Sequence, residues 1–117
     1  MVSTYALSEN TLREVLQHLP YRIEYVQTAI NHLRYLTARQ RSVVFIGVDQ
    51  QLMHEPTAET RNRKQMRANP LASWELRLGD LRVYYDVEEQ PEQLVKIAAI
   101  GIKDGNEVII GRERIQP

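Results

Sequence analysis

Residues 74–87 alternate apolar and polar side chains on both sides of a single Gly-Asp pair. A period of two marks half-buried β-strands, because a helix cannot hold such a pattern on one face. In the first strand Trp74, Leu76 and Leu78 point one way, and Glu75 and Arg77 the other. In the second, Leu81, Val83, Tyr85 and Val87 form the apolar set, while Arg82, Tyr84 and Asp86 form the polar one. Gly79-Asp80 offers a residue suited to positive φ, so the two strands should close as a tight hairpin. The chain must therefore build an antiparallel sheet. One face belongs to a core, with Trp74, Leu76, Val83, Tyr85 and Ile97 buried; the other carries Arg77, Arg82 and Tyr84.

The flanking sequence supplies the elements that cover this sheet. Residues 8–19 read as a helix with Ser8 as N-cap and Leu12, Val15, Leu16 and Leu19 on one face, stopped by Pro20. Residues 21–26 read as a strand with Tyr21, Ile23 and Tyr25 on one side, and 28–36 as a helix with Ile30, Leu33 and Leu36 inward. Between 38 and 53, Val43-Val44-Phe45-Ile46 followed by Gly47 favours a strand by propensity alone. Pro56 closes that segment. Strands follow at 73–79 and 81–88, then an acidic turn at 88–92. The 94–102 segment is apolar on both faces, Ile97 and Ala99 against Ala98 and Ile100, which predicts a central strand. A turn at 104–106 leads to a last short strand at 107–110.

The 117 residues suit one domain with a single core. Formal net charge is zero, so a polyanion can be bound only by a local patch. Such a patch exists in the sequence: Arg61, Arg63, Lys64, Arg67, Arg77 and Arg82 fall between residues 60 and 87, and attraction to phosphate is the commonest use of clustered basic residues. A solvated outer sheet face would show the same alternation. There are no cysteines, which excludes disulfides and thiolate metal sites and fits a reducing cytoplasm. No apolar run reaches the ~20 residues of a membrane span, and the N-terminus lacks a secretory pattern. No Gly-rich phosphate loop and no metal-spaced His/Asp/Glu set appears, so neither cofactor nor metal is expected. His54 suits a helix C-terminus, and His18 and His32 suit helix surfaces.

A polar Arg/Lys run, then Trp-x-Leu-Arg-x-Gly-Asp-x-Arg-Val-x-Tyr-Asp-Val, then a strand ending Ile100-Gly101-Ile102-Lys103, resembles the RelE/ParE toxin superfamily of type II toxin–antitoxin systems. The resemblance covers roughly residues 21–111. It implies an α+β fold in which an N-terminal strand and a two-helix hairpin pack on an antiparallel sheet, which makes 38–53 the second helix of the hairpin. Residues 1–20 then form an N-terminal helical extension to a toxin domain at 21–117. The extension presents an apolar stripe that could join two copies as a homodimer or mask its own domain. The resemblance also implies a ribosome-dependent mRNA endonuclease that inhibits translation, with a cognate antitoxin as partner and ribosome and mRNA as targets. Its catalytic positions fall at Arg82, Arg77 and Lys103, and RNA contacts at Arg61, Arg63, Lys64 and Tyr84. Two positions depart from the pattern: a basic residue of the first hairpin strand falls at Glu75, and a C-terminal tyrosine at about Ile109. Tyr84, which shares a face with Arg82, is a candidate to replace it. The departures leave two alternatives open, a ParE-like toxin that binds DNA gyrase without cutting RNA, and a degenerate member that only binds its antitoxin.

Overall fold

In the computed structural model, residues 8–117 are described, apart from the side chains of Leu16 and Gln17; the expected inward place of Leu16 lies outside them. The elements in chain order are α1 (Glu9–Gln17), β1 (Arg22–Tyr25), α2 (Gln27–Leu33), α3 (Ala38–Leu52), β2 (Arg63–Gln65), β3 (Trp74–Leu78), β4 (Leu81–Glu88), β5 (Leu94–Asp104), β6 (Glu107–Ile110) and β7 (Glu113–Ile115). Among the described residues seven strands make one sheet in the order β2-β3-β4-β5-β6-β7, with β1 parallel to the first half of β5. β2 and β7 were invisible to alternation because each is only three residues long.

The hairpin forms as the pattern requires, with Gly79 at φ 62° and Leu78 opposite Leu81. Its apolar face joins α2 and α3 in the main core, where Leu76, Val83, Tyr85, Ile97, Val44, Val48 and Leu52 are fully buried. Trp74 stacks on Tyr85 with centroids 6.1 Å apart, and the Tyr85 hydroxyl donates to Pro56 O at 2.7 Å.

Residues 38–52 are helical despite their β-branched run. Thr37 and Gln40 close a capping box at the N-terminus, and Val44, Val48 and Leu52 recur every fourth residue onto the sheet. Gly47 sits where the helix comes closest: a Cβ there would lie 2.6 Å from both Leu78 methyls. In α2 the inward line runs through Ala29 and Leu33, so Ile30, expected inside, is 40% exposed. Leu36 is buried, in the turn after that helix.

The parity expected along β5 breaks. Tyr84 pairs with Ala99 but Tyr85 pairs with Ile97, so Ala98 is an extra residue in the strand. This bulge turns Ile97 and Ile100 both toward the helices and sends Ala99 to the opposite face. It also increases local twist. The far face is consequently not open sheet: Tyr84, Ala99, Val108 and Ile110 form a second, smaller core with Ala72.

α1 starts at an N-cap, with Ser8 Oγ accepting from Thr11 N–H at 3.1 Å. Its Leu12 and Val15, and Leu19 just beyond it, are 46%, 47% and 48% exposed. Among the described residues no helix is long and apolar enough to cross a membrane.

Candidate functional site: a basic groove on the outer sheet face

Ladder register decides which charged residues meet. Residues paired directly across a sheet point to the same side. Lys64 pairs with Glu75, Glu75 with Tyr84, Arg77 with Arg82, and Arg82 with Gly101, two residues before Lys103. Lys64, Glu75, Arg77, Arg82 and Lys103 therefore share the face away from the helices. They line two adjoining recesses. One, of about 580 Å³, is bordered by Lys64, Arg67, Asn69 and Arg77. The other, of about 180 Å³, is bordered by Arg77, Arg82, Lys103 and Asn106. Glu75, Arg77 and Pro117 form the wall common to both.

Arg82 is the fixed point of this groove. It is 8% exposed, and Nη1 donates to Gly79 O at 2.6 Å and to Leu81 O at 2.9 Å. Nε and Nη2 make no hydrogen bond among the described residues, and no carboxylate pairs with the side chain there. A buried guanidinium held by carbonyls and lacking a counter-charge is a ready anion site. Arg77 is exposed and donates from Nε to Glu75 Oε1 at 2.8 Å. The Lys103 backbone N–H donates to Asp80 O at 2.7 Å, which ties the end of β5 to the hairpin turn beside Arg82. Arg67 sits on a loop ordered by Asn69, whose side chain donates to Arg67 O and Ala72 O and accepts from Leu71 and Ala72 N–H.

Three expected RNA contacts fall elsewhere. Arg63 pairs with Leu76 and so faces the helices; its Nη1 donates to Gln51 O at 2.7 Å and Glu55 O at 2.9 Å, closing the end of α3. Arg61 is exposed but lines neither recess. Tyr84 shares the face of Arg82 yet is fully buried beneath the second core. Its hydroxyl has no hydrogen-bond partner among the described residues, and burial, then the charge of Glu75, push its pKa up. A phenol in that position cannot reach a ligand. Lys64, by contrast, lies on the outer face opposite Glu75 and borders the 580 Å³ recess.

Two residues had more to do than their sequence context suggested. Glu75, read as a gap in a basic set, is 7% exposed at the centre of the groove. His32, expected on a helix surface, is partly buried, and its Nδ1 accepts from Ile100 N–H at 3.2 Å. That amide lies on β5 between the β1 ladder, which ends at Ile97, and the β6 ladder, which begins at Ile102. Burial lowers the His32 pKa, with Glu113 opposing. No local pattern around His32 reports a bond made to a strand 68 residues away.

Neither a family model nor a curated protein matches the sequence. The fold is similar to that of a chain in the crystal structure of the RelBE2 toxin–antitoxin complex from Mycobacterium tuberculosis, with TM-score 0.64 and 23% identity over 74% of this chain and 94% of that one. The fold is RelE-like.

Proposed function

We propose that this chain is the toxin of a type II toxin–antitoxin pair, acting as a translation-inhibiting, ribosome-dependent mRNA endonuclease in the cytoplasm. The observation that carries the reading is Arg82: a guanidinium held in place by two backbone carbonyls, without a salt bridge among the described residues, bordering a recess that Arg77 and Lys103 share with Glu75 and Glu107. Intramolecular RNA cleavage needs an activated 2′-hydroxyl, stabilisation of charge building on the phosphate, and a proton for the leaving oxygen. Arg82 supplies the second with preorganised donors. Arg77 and Lys103 add charge, and Lys103 carries protons on a flexible stem that is less preorganised. A cognate antitoxin would be the natural partner, since the neighbouring fold is found in a toxin–antitoxin complex. The exposed stripe of α1 is a proposed contact with a second copy.

A second reading is favoured by one observation. Burial of Tyr84 removes the replacement expected for the missing tyrosine, which suits a ParE-like toxin acting on DNA gyrase through exposed helix residues such as Val43 and Ile46. Induced expression with primer extension on mRNA and a plasmid supercoiling assay separates the two. The nuclease reading expects new mRNA ends in wild type, none in a folded Arg82→Ala, and a reduced yield in Lys103→Ala. Growth arrest by Arg82→Ala at the wild-type level, with altered supercoiling and no new ends, would replace it with the gyrase reading.

A further inference from the structure

β4 pairs with β5 from Leu94 to Ile102, but on the other side of β5 the β1 ladder ends at Ile97 and the β6 ladder begins at Ile102. A cleft of about 660 Å³ lies beside this break, within the size range of small-molecule sites. Its apolar lining includes Leu71, Ala98, Ala99 and Ile110, all part of the second core or packed against it. Its polar lining includes His32 and Tyr35 from the end of α2, and Arg112 and Glu113 after β6. Pro70 is the one residue it shares with the Lys64/Arg67 recess, and it shares none with the Arg82/Lys103 recess.

Three polar groups of this lining are without partners among the described residues. His32 Nδ1 is taken by the Ile100 N–H, so in the neutral ring the hydrogen sits on Nε2. Nε2 itself makes no hydrogen bond there, and Cδ2, the carbon bonded to it, lies 3.8 Å from the point a Cβ on Gly111 would occupy. That edge of the ring is therefore turned toward the β6–β7 connection. Arg112 and Glu113 are consecutive, both border the cleft, and neither forms an ion pair among the described residues. The Arg112 guanidinium is held 5.8 Å from the Tyr35 ring centroid, a cation–π contact. A simple anion would be attracted by Arg112 and repelled by Glu113, and a simple cation the reverse. A ligand that carries both charges a few bonds apart satisfies both residues, and an apolar group on it can cover the apolar lining.

We propose that this cleft binds a free α-amino acid with an apolar side chain: its carboxylate accepts from Arg112 and His32 Nε2–H, its ammonium donates to Glu113, and its side chain lies against Leu71, Ala98 and Ile110. The site is separate from the phosphate groove and stands whether or not the groove holds RNA. A bound amino acid would join the end of α2 to the β6–β7 connection through one molecule, so occupancy stabilises the fold by mass action.

The experiment titrates the full chain with leucine and follows backbone amide shifts by NMR. Leucinamide, which lacks the carboxylate, N-acetylleucine, which lacks the ammonium, and glycine, which lacks the side chain, are the comparisons. Saturable shifts are expected with leucine at the amides of Ala98, Ala99 and Gly111. Each comparison compound should bind roughly tenfold more weakly, the scale of one charge-assisted hydrogen bond. Arg112→Gln should weaken leucine by a similar factor and leave leucinamide unchanged, and Glu113→Gln should do the same for leucine and N-acetylleucine. Ala98→Leu, which fills the cleft, should abolish the shifts, with thermal melts confirming that each variant is folded. Absence of saturable shifts with leucine up to about 10 mM, well above ordinary Michaelis constants, overturns the proposal. So does equal binding of leucine and its two charge-deleted analogues, which needs no variant to be observed. Leucine shifts that persist in a folded Ala98→Leu would place the ligand elsewhere and overturn it as well. None of these outcomes bears on the groove, whose test is mRNA cleavage.

Discussion

Arg63 and Arg82 are chemically identical and serve opposite purposes. Arg82 faces the groove, whereas Arg63 faces the helices and closes the carbonyl end of α3. Parity within β3 and β4 was legible because those strands are long and their apolar sets are unambiguous. Parity at Arg63 was not, since β2 spans three residues with no apolar member. Glu75 and Tyr84 were likewise placed on the correct side, but the second core that buries Tyr84 draws on Ala72, Val108 and Ile110 from other segments and has no mark in the local pattern. His32 shows the same limit and gives a prediction at this scale. Its Nδ1 must stay unprotonated to accept from Ile100 N–H, and burial holds its pKa below the ordinary 6.5 while Glu113, the acidic group facing it, opposes the shift. A folded state that binds the proton less well than the unfolded chain loses stability as pH falls. The His32 contribution should be complete above about pH 6.5 and decline below it. Urea unfolding of wild type and His32→Gln at pH 7.5 and pH 5 checks this. Glutamine can accept the same bond without titrating, so the wild type should lose more stability than the variant between the two values. Equal losses would show that His32 does not titrate against folding.

At the scale of elements, two glycines were visible in the sequence for the wrong reasons. Gly47 looked like an argument against a helix, and Gly101 like part of a family signature. Both are points of close approach, and they differ in what approaches. At Gly47 a Cβ would meet the ends of the Leu78 side chain at 2.6 Å. At Gly101 it would meet the backbone oxygen of Ile109 at 2.6 Å, with Ile110 and Val108 carbons at 2.7 Å. A side-chain tip can rotate away, and a helix gains about 1 kcal/mol when Ala replaces Gly. A ladder carbonyl cannot move without breaking β5–β6 pairing. Gly101→Ala should therefore destabilise by about 1–3 kcal/mol, and Gly47→Ala by clearly less, in chemical denaturation at equal pH. Similar values for both would mean that β6 yields more readily than its backbone contact implies. The helix over 38–52 was legible only through the family pattern. Propensity pointed to a strand, and tertiary burial of Val44, Val48 and Leu52 decided otherwise.

For the whole molecule, zero net charge makes the groove's contribution to binding separable from any general field. A strongly basic protein would bind RNA through its summed potential, and no single face would stand out. Here positive charge on the groove face is offset elsewhere, as in the acidic turn that carries Glu88, Glu89 and Glu92. Binding through Lys64, Arg77, Arg82 and Lys103 releases counterions from the phosphates those residues neutralise. For single strands the slope of log K against log salt is about −0.7 per phosphate, so four contacts give about −3 and the loss of one changes it by about 0.7. Oligouridylate affinity measured from low to physiological salt should show that slope in wild type. It should flatten by one step in Lys64→Ala and stay unchanged in Arg13→Ala, which removes a cation of the same sign from α1. A slope near zero would mean that phosphates do not sit in the groove. An equal flattening in Lys64→Ala and Arg13→Ala would mean that attraction is spread over the surface, and the two recesses would then lose their claim to be the site.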